Sequence, residues 1–338
     1  MTKSRGFLEE AGEFGLIRYI AELHPDRSKG VLLGIGDDAA EISFDPGMSI
    51  LAAADVIVEG IHFHREHYSP EQVGRKAVAV NLSDMAAMGG RGRFILCQTG
   101  LPPGTDLEFF RRCTGGMVDY TREMDMALVG GDISATEGPL FLAVTILGEV
   151  PEGRIIRRSG ASPGDLLLIS GFPGESAAGM HLLKKRDRSD RPALKHLIRR
   201  HLEIEPRLEV ARLAAGSGAV TAGIDLSDGL SSDLLHICRA SGTAAEIEEL
   251  SIPLSAELKE GADFLGLDPL DLALNGGEDF ELLLAVSPGA AWKLLEEAEK
   301  NGQKLTAIGR VTESSPRLVM VTPGGKKILG AGGFDHFG

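Results

Sequence analysis

Acidic side chains beside glycines recur along this chain where apolar runs stop. The instances are Gly34-Ile35-Gly36-Asp37-Asp38, Ala53-Ala54-Asp55, Asn81-Leu82-Ser83-Asp84, Gly130-Gly131-Asp132, Ile224-Asp225-Leu226-Ser227-Asp228-Gly229 and Asn275-Gly276-Gly277-Glu278-Asp279. Asp and Gly are the commonest turn residues, so any one of these also reads as a turn, and Asp84 or Asp228 as a helix cap. Six together carry more weight, because strand ends are where α/β proteins gather ligand sites. Brought together, the carboxylates repel: two charges about 5 Å apart cost about 3 kcal/mol at an effective dielectric of 20. Hard oxygen donors with no neighbouring thiol or paired imidazoles favour Mg²⁺ over zinc or iron. Glycine amides beside them hold phosphate oxygens. The combination points to a Mg-nucleotide site without a P-loop. No G-x-x-x-x-G-K-[S/T] occurs, and Gly34-Ile35-Gly36 lacks the third glycine of the dinucleotide fingerprint.

The elements that must position these residues follow from hydrophobic period and turn residues. In the first half we expect a helix over 7–23, strands at 31–33 and 50–54, and a helix over 70–88 with Val73, Ala77, Val80, Met85 and Met88 inward. A strand at 94–99, a helix over 105–124, a short strand at 127–129 and a β-rich run over 140–150 complete it. Turn residues cluster at Pro151-Glu152-Gly153, which divides the chain into domains 1–150 and 151–338. The second half reads as strand 166–170, helices 175–185 and 206–216, strand 219–225, helix 229–241 and strand 244–248. Strand 280–286, helix 289–300 and strand 305–312 end the set. The basic stretch 184–200 reads as a solvated helix surface. Alternating strands and helices in both halves make this an α/β (α+β) protein.

Bulk properties narrow the partners. A length of 338 residues suits two domains, and 43% hydrophobic with 25% charged residues is ordinary for a globular protein. A net charge of −14 excludes a nucleic acid or anionic membrane as the expected partner, since both need a basic face. Phosphates are then bound only where metal ions invert the local charge. Three widely spaced cysteines, Cys97, Cys113 and Cys238, fit reduced thiols rather than a disulfide framework. No apolar stretch follows Lys3 and Arg5, so no signal peptide is expected, and the run Leu140 to Leu147 is too short to span a bilayer. A cytoplasmic location follows.

The same segments, in this order, resemble the thiamine-monophosphate kinase family. The matching stretches are Gly12-Glu13-Phe14, Gly34 to Ala39, Asp55 with Val58 to Phe63 (VEGIHF), and Lys76 to Gly89 (KAVAVNLSDMAAMG). They continue through Gly130-Gly131-Asp132, Arg158-Ser159-Gly160, Gly164-Asp165, Ile224 to Leu230 (IDLSDGL), Gly276 to Leu282 (GGEDFEL) and the tail from Gly333 to Phe337. Wider relatives share the Gly-Asp turns but not VEGIHF together with the FDHF tail.

The resemblance implies an aminoimidazole ribonucleotide synthetase-like fold. An N-terminal Mg-ATP-binding domain pairs its sheet across a homodimer, and a C-terminal α/β domain closes the cleft. It implies Mg²⁺ ligands at Asp38, Asp55, Asp84, Asp132, Asp225 and Asp228, with the carbonyls of Ala53 and Ala54 standing where the family usually has Ser-Thr. It implies ATP contacts at Gly131, Asp132, Arg158 and Ser227, and thiamine monophosphate contacts at His62, Glu278 and Phe334. Asp84, Asp132 and Arg158 would carry catalysis. Ile133 stands where a Thr usually follows Gly-Gly-Asp, so two kinds of hydroxyl ligand are missing. The implied reaction is in-line transfer of the ATP γ-phosphoryl group to thiamine monophosphate, by positioning and charge neutralisation. His62-x-His64-x-x-His67 is too loose for a metal site; His62 is expected at the substrate phosphate and the other two in solvent. Two alternatives remain at this point: another ATP-dependent enzyme of the same superfamily, and a nucleotide-binding paralogue without catalysis.

Overall fold

The computed structural model describes residues 8–23, 29–186, 190–313 and 316–333. The chain divides into two compact units: 1–85 with 91–152, and 86–90 with 153–338.

In the first unit the order is α1 (Leu8–Leu23), β1 (Val31–Leu33), β2 (Glu41–Ile42), β3 (Met48–Val58), α2 (Pro70–Ala87), β4 (Arg91–Leu101), α3 (Leu107–Glu123), β5 (Ala127–Ala135) and β6 (Phe141–Pro151). β3, β6, β4 and β5 form a four-stranded sheet in that order, parallel only between β4 and β5. A reciprocal capping box starts α2: the Ser69 hydroxyl accepts from the Gln72 N–H at 3.3 Å, and the Gln72 side chain accepts from the Ser69 N–H at 3.0 Å. Val73, Ala77, Val80 and Met85 are buried as the period requires. α2 and α3 meet at Gly74 and Gly116, where a Cβ on either would collide with the other helix's backbone.

The second unit contains β7 (Leu166–Ser170), α4 (Glu175–Lys185), α5 (Pro192–Leu202), α6 (Leu208–Ser217), β8 (Val220–Asp225), α7 (Leu230–Ser241) and β9 (Ala244–Glu248). It continues with α8 (Ala256–Leu265), α9 (Pro269–Asn275), β10 (Leu282–Val286), α10 (Pro288–Lys300), β11 (Leu305–Thr312), β12 (Leu318–Thr322) and β13 (Gly325–Leu329). The seven-stranded sheet runs β13-β12-β9-β11-β7-β10-β8. Both faces of its centre are covered. Leu167, Ile169, Leu283 and Ala285 enter one core, and Leu168, Leu282, Leu284 and Val286 the other, which is why β7 and β10 read as unbroken apolar runs.

Four expectations need correction, the last at one residue only. Asp84 lies inside α2, and Asp55 and Asp132 lie within β3 and β5, rather than at strand ends. The glycine pair 130–131 does not stop β5, because parallel pairing with β4 carries it on to Ala135. α8, α9, β12 and β13 were not expected; β13 is an edge strand whose two lysines mask its apolar residues. The basic stretch 184–200 contains most of α5 and presents Lys184, Lys185, Arg186, Arg191, Lys195 and Arg199 to solvent as expected, with Arg200 the exception: it turns inward beside the buried Leu194 and Leu197.

Candidate active site

In the first unit, Asp55 on β3 and Asp84 on α2 point at each other, and their carboxyls hydrogen-bond. Such a bond requires a proton on one of the two. Asp55 keeps exposed surface, yet the protein packed around its carboxyl raises its pKa; the bond to Asp84 and the neighbouring His62 oppose that rise. One turn before Asp84, Asn81 is fully buried and its side-chain oxygen has no partner, an acceptor of the kind a cation or ordered water satisfies. An all-oxygen set with a carboxyl pair that must share a proton fits a hard divalent cation. Ala53 and Ala54 are consecutive on β3, so their carbonyls face opposite sides of the strand. Only one can look away from β6.

His62 sits on the turn after β3. Its Nδ1 accepts from the Val58 N–H at 3.0 Å, so the neutral ring carries its proton on Nε2. The buried ammonium of Lys76 on α2 fixes this turn by donating to the His62 carbonyl at 2.8 Å and to the Tyr68 hydroxyl at 3.2 Å. The sequence reading did not single out Lys76, although a lysine among apolar helix positions is a signal.

A cavity of about 740 Å³ opens in the same unit, with Ile17, Asp38, Cys97, Cys113, Gly131 and Asp132 in its wall. A Cβ at Gly131 would collide with the Cys97 carbonyl, so only glycine lets β5 lie there. Burial raises the Cys113 thiol and pushes Cys97 up to about 11, leaving both as uncharged apolar wall. The cavity therefore joins an apolar pocket to the three acids Asp37, Asp38 and Asp132.

In the second unit Asp225 ends β8 and is buried, while Ser227 and Asp228 are half-buried before α7. Asp233 accepts the N–H groups of Asp228 at 3.2 Å and Gly229 at 3.1 Å, which shapes this turn. Burial, then the charges of Asp228 and Asp225, push Asp233 up to about 8. Among the described residues, ligand atoms of Asp228, Asp233 and His236 lie within 4.8 Å of one another. Burial and then the charge of Arg158 lower the His236 pKa, which places that arginine in the neighbourhood. Asp233 and His236 were missed because they read as ordinary residues of α7.

The Gly277 to Glu281 turn lies alongside. Glu278 and Phe280 both have left-handed backbone, with φ of 55° and 50°, a conformation that costs about 1–3 kcal/mol for a residue with a side chain. The turn is held against 226–227: the Glu278 N–H donates to the Ser227 carbonyl at 2.7 Å, and the Phe280 N–H to the Leu226 carbonyl at 2.8 Å. Phe334 lies outside the described residues. Gly332 is tied to Ser231 on α7, and a Cβ at Gly333 would meet the Asp228 carbonyl, so the described tail ends beside Asp228.

Residues 36–150 match the family AIR synthase related protein, N-terminal domain, and residues 162–321 match AIR synthase related protein, C-terminal domain. This defines a two-domain protein of the AIR synthase-related class. The thiamine-monophosphate kinase of Escherichia coli (strain K12) is 37% identical over 328 residues, spanning 96% of this chain and 98% of its own. Among solved structures, thiamine-monophosphate kinase from Stenotrophomonas maltophilia K279a has a TM-score of 0.80 at 32% identity, covering 92% of this chain and 96% of its own. AaThiL complexed with AMPPCP and TMP has a TM-score of 0.77 at 33% identity, covering 99% and 100%. The chain belongs to the thiamine-monophosphate kinase family.

Proposed function

We propose that the protein transfers the γ-phosphoryl group of ATP to the phosphate of thiamine monophosphate, giving thiamine diphosphate and ADP. One observation carries the reading: Asp55 and Asp84 face each other beside His62, the arrangement that a cation and a phosphate together would relieve. Its support from outside this chain is the kinase family and the relative solved with AMPPCP and TMP.

The acceptor is a phosphate oxygen already ionised near neutral pH, so it attacks the γ-phosphorus without a general base. The bond to the β,γ-bridging oxygen breaks and ADP leaves with that electron pair. The work is to hold two anions in line. Asp38, Asp55, Asp84 and Asp132 in the first unit, and Asp225 and Asp228 in the second, are the Mg²⁺ ligands of this reading, with the open carbonyl of Ala53 or Ala54 beside Asp55. Mg²⁺ bound there neutralises phosphate charge. We assign the nucleotide to the cavity beside Gly131 and Asp132, with Arg158 and Ser227 as further contacts. The imidazole of His62 donates from Nε2 to the substrate phosphate, and Glu278 and Phe334 hold the rest of the substrate. Asp84, Asp132 and Arg158 then act on the reacting phosphates.

We infer a homodimer paired along β3, because that strand is one of the two outer strands of its sheet and exposes Ile50 and Val56. Sedimentation at the monomer mass would end that inference. The three cysteines are free and buried, which suits a reducing cytoplasm, and among the described residues no helix is long and apolar enough to cross a membrane. Mass spectrometry after incubation with ATP, Mg²⁺ and thiamine monophosphate tests the reaction. Thiamine diphosphate and ADP in equal amounts are expected. ADP without thiamine diphosphate would indicate another ATP enzyme of the class, and neither product a paralogue without catalysis.

A further inference from the structure

The acids of the Gly277 to Glu281 turn are not equivalent. Asp279 is buried and accepts the N–H groups of Gly174 at 2.7 Å and Ser176 at 3.2 Å, so it caps α4 from another segment. Glu281 has no exposed surface and receives Arg200, Arg207 and the Ser170 hydroxyl. Glu278, which precedes both anchors in the chain, keeps about a third of its side chain exposed. It is the acid of this turn that a ligand can reach.

Directly against it lies His201, on α5 next to Arg200. His201 is 6% exposed; its Nδ1 is 3.1 Å from the Ser176 hydroxyl and 3.6 Å from a Glu278 carboxylate oxygen. Ser176 thus touches both the turn and its neighbour, giving its N–H to Asp279 while its hydroxyl lies within hydrogen-bond distance of the imidazole. Arg200 and His201, adjacent on one helix, hold Glu281 and face Glu278 respectively. α5 works as a clamp on both ends of a turn whose backbone is held in an unfavourable conformation.

We propose that His201 is the positioning residue that fixes the Glu278 carboxylate for its substrate. The inference rests on the reading of Glu278 as a contact to thiamine monophosphate, whose thiazolium ring is a cation and whose pyrimidine carries an amine. Either group is recognised by a carboxylate held in one place. A glutamate left to rotate must lose that freedom on binding, and affinity falls accordingly. Of the basic residues on α5, Arg200 serves this turn, while Lys195 and Arg199 face the solvent.

Steady-state kinetics on the full chain test it. His201→Phe is expected to raise the KM for thiamine monophosphate about tenfold, with the KM for ATP within twofold of the parent. His201→Asn, which returns a polar nitrogen or oxygen near the Nδ1 position, is expected to recover most of the loss. In a Glu278→Gln background, adding His201→Phe is expected to change nothing further, because the two residues act through one contact. Equal rises in both KM values, or an undiminished effect in that background, would overturn the positioning role. A Glu278→Gln variant with an unaltered KM for thiamine monophosphate would overturn it differently, by removing Glu278 from the substrate site. Absence of thiamine diphosphate from the parent would remove the reaction itself. Should His201→Phe fail to fold, Ser176→Ala carries the same test with an expected rise of about threefold.

Discussion

Glu281 is enclosed by protein while Asp55 keeps exposed surface, and the groups that meet the two acids are opposite in charge. Glu281 is completely buried and meets two arginines and a hydroxyl, with Arg207 at 2.7 and 2.5 Å and Arg200 at 2.9 Å. Asp55 meets another carboxyl, that of Asp84. Glu149 follows the Glu281 pattern in the first unit. It is 1% exposed and held by Arg91 and Arg93, and although burial pushes it up, those arginines bring its pKa below the usual value. Glu281 and Glu149 are given arginines, while Asp55 faces Asp84, and on the function proposed above that facing pair is the one a cation would bridge.

The comparison can be broken most severely at Arg207. Its removal in Arg207→Met leaves the fully buried Glu281 with fewer partners. Stripping one partner from a buried pair costs about 3–5 kcal/mol, and Arg200 remains, so the lower end is expected in urea unfolding. Arg212→Met provides the contrast: its partner Glu209 and Arg212 itself are exposed, and a change within about 0.5 kcal/mol is expected. Equal losses in the two variants would mean that burial of Glu281 among its arginines does not hold the fold.

Asp279 sharpens the comparison by a smaller effect. Burial pushes its pKa up to about 7, against the bonds from Gly174 and Ser176. Because the folded value lies above the unfolded one, the native state holds the extra proton between about pH 4 and pH 7. Stability therefore falls as pH rises through that window and levels above it. The loss is of order 4 kcal/mol at most. Asp279→Asn, which keeps an acceptor but no proton to lose, is expected to flatten that part of the stability profile. An unchanged slope would mean that other groups set it.

Much of this was legible before any coordinates. The acid–glycine segments, the apolar face of α2 and the alternation of strands and helices are local signals, and the structure places Asp55 with Asp84 and Asp38 with Asp132 around features of one unit. What was hidden depended on contacts between distant segments. Arg200 looks like one more solvent-facing charge of 184–200 until Glu175 and Glu281, on other segments, are seen to receive it. Asp84 stands beside the turn formers Asn81 and Ser83, yet the helix expected over 70–88 runs through it, started by the capping box at Ser69 and Gln72. The glycine pair before Asp132 looks like a strand end, yet the Cys97 carbonyl simply requires a residue without a side chain.

The central claim is that Asp55 and Asp84 are complete only with a divalent cation and a nucleotide. Thermal unfolding with Mg²⁺, with AMPPCP, and with both measures it directly. For the parent chain the combined rise in Tm is expected to exceed the sum of the separate rises by several degrees. Asp84→Asn, which relieves the facing carboxyls, is expected to be at least as stable as the parent without ligands and to lose that excess. Additive shifts in the parent, or the same excess in Asp84→Asn, would contradict the account.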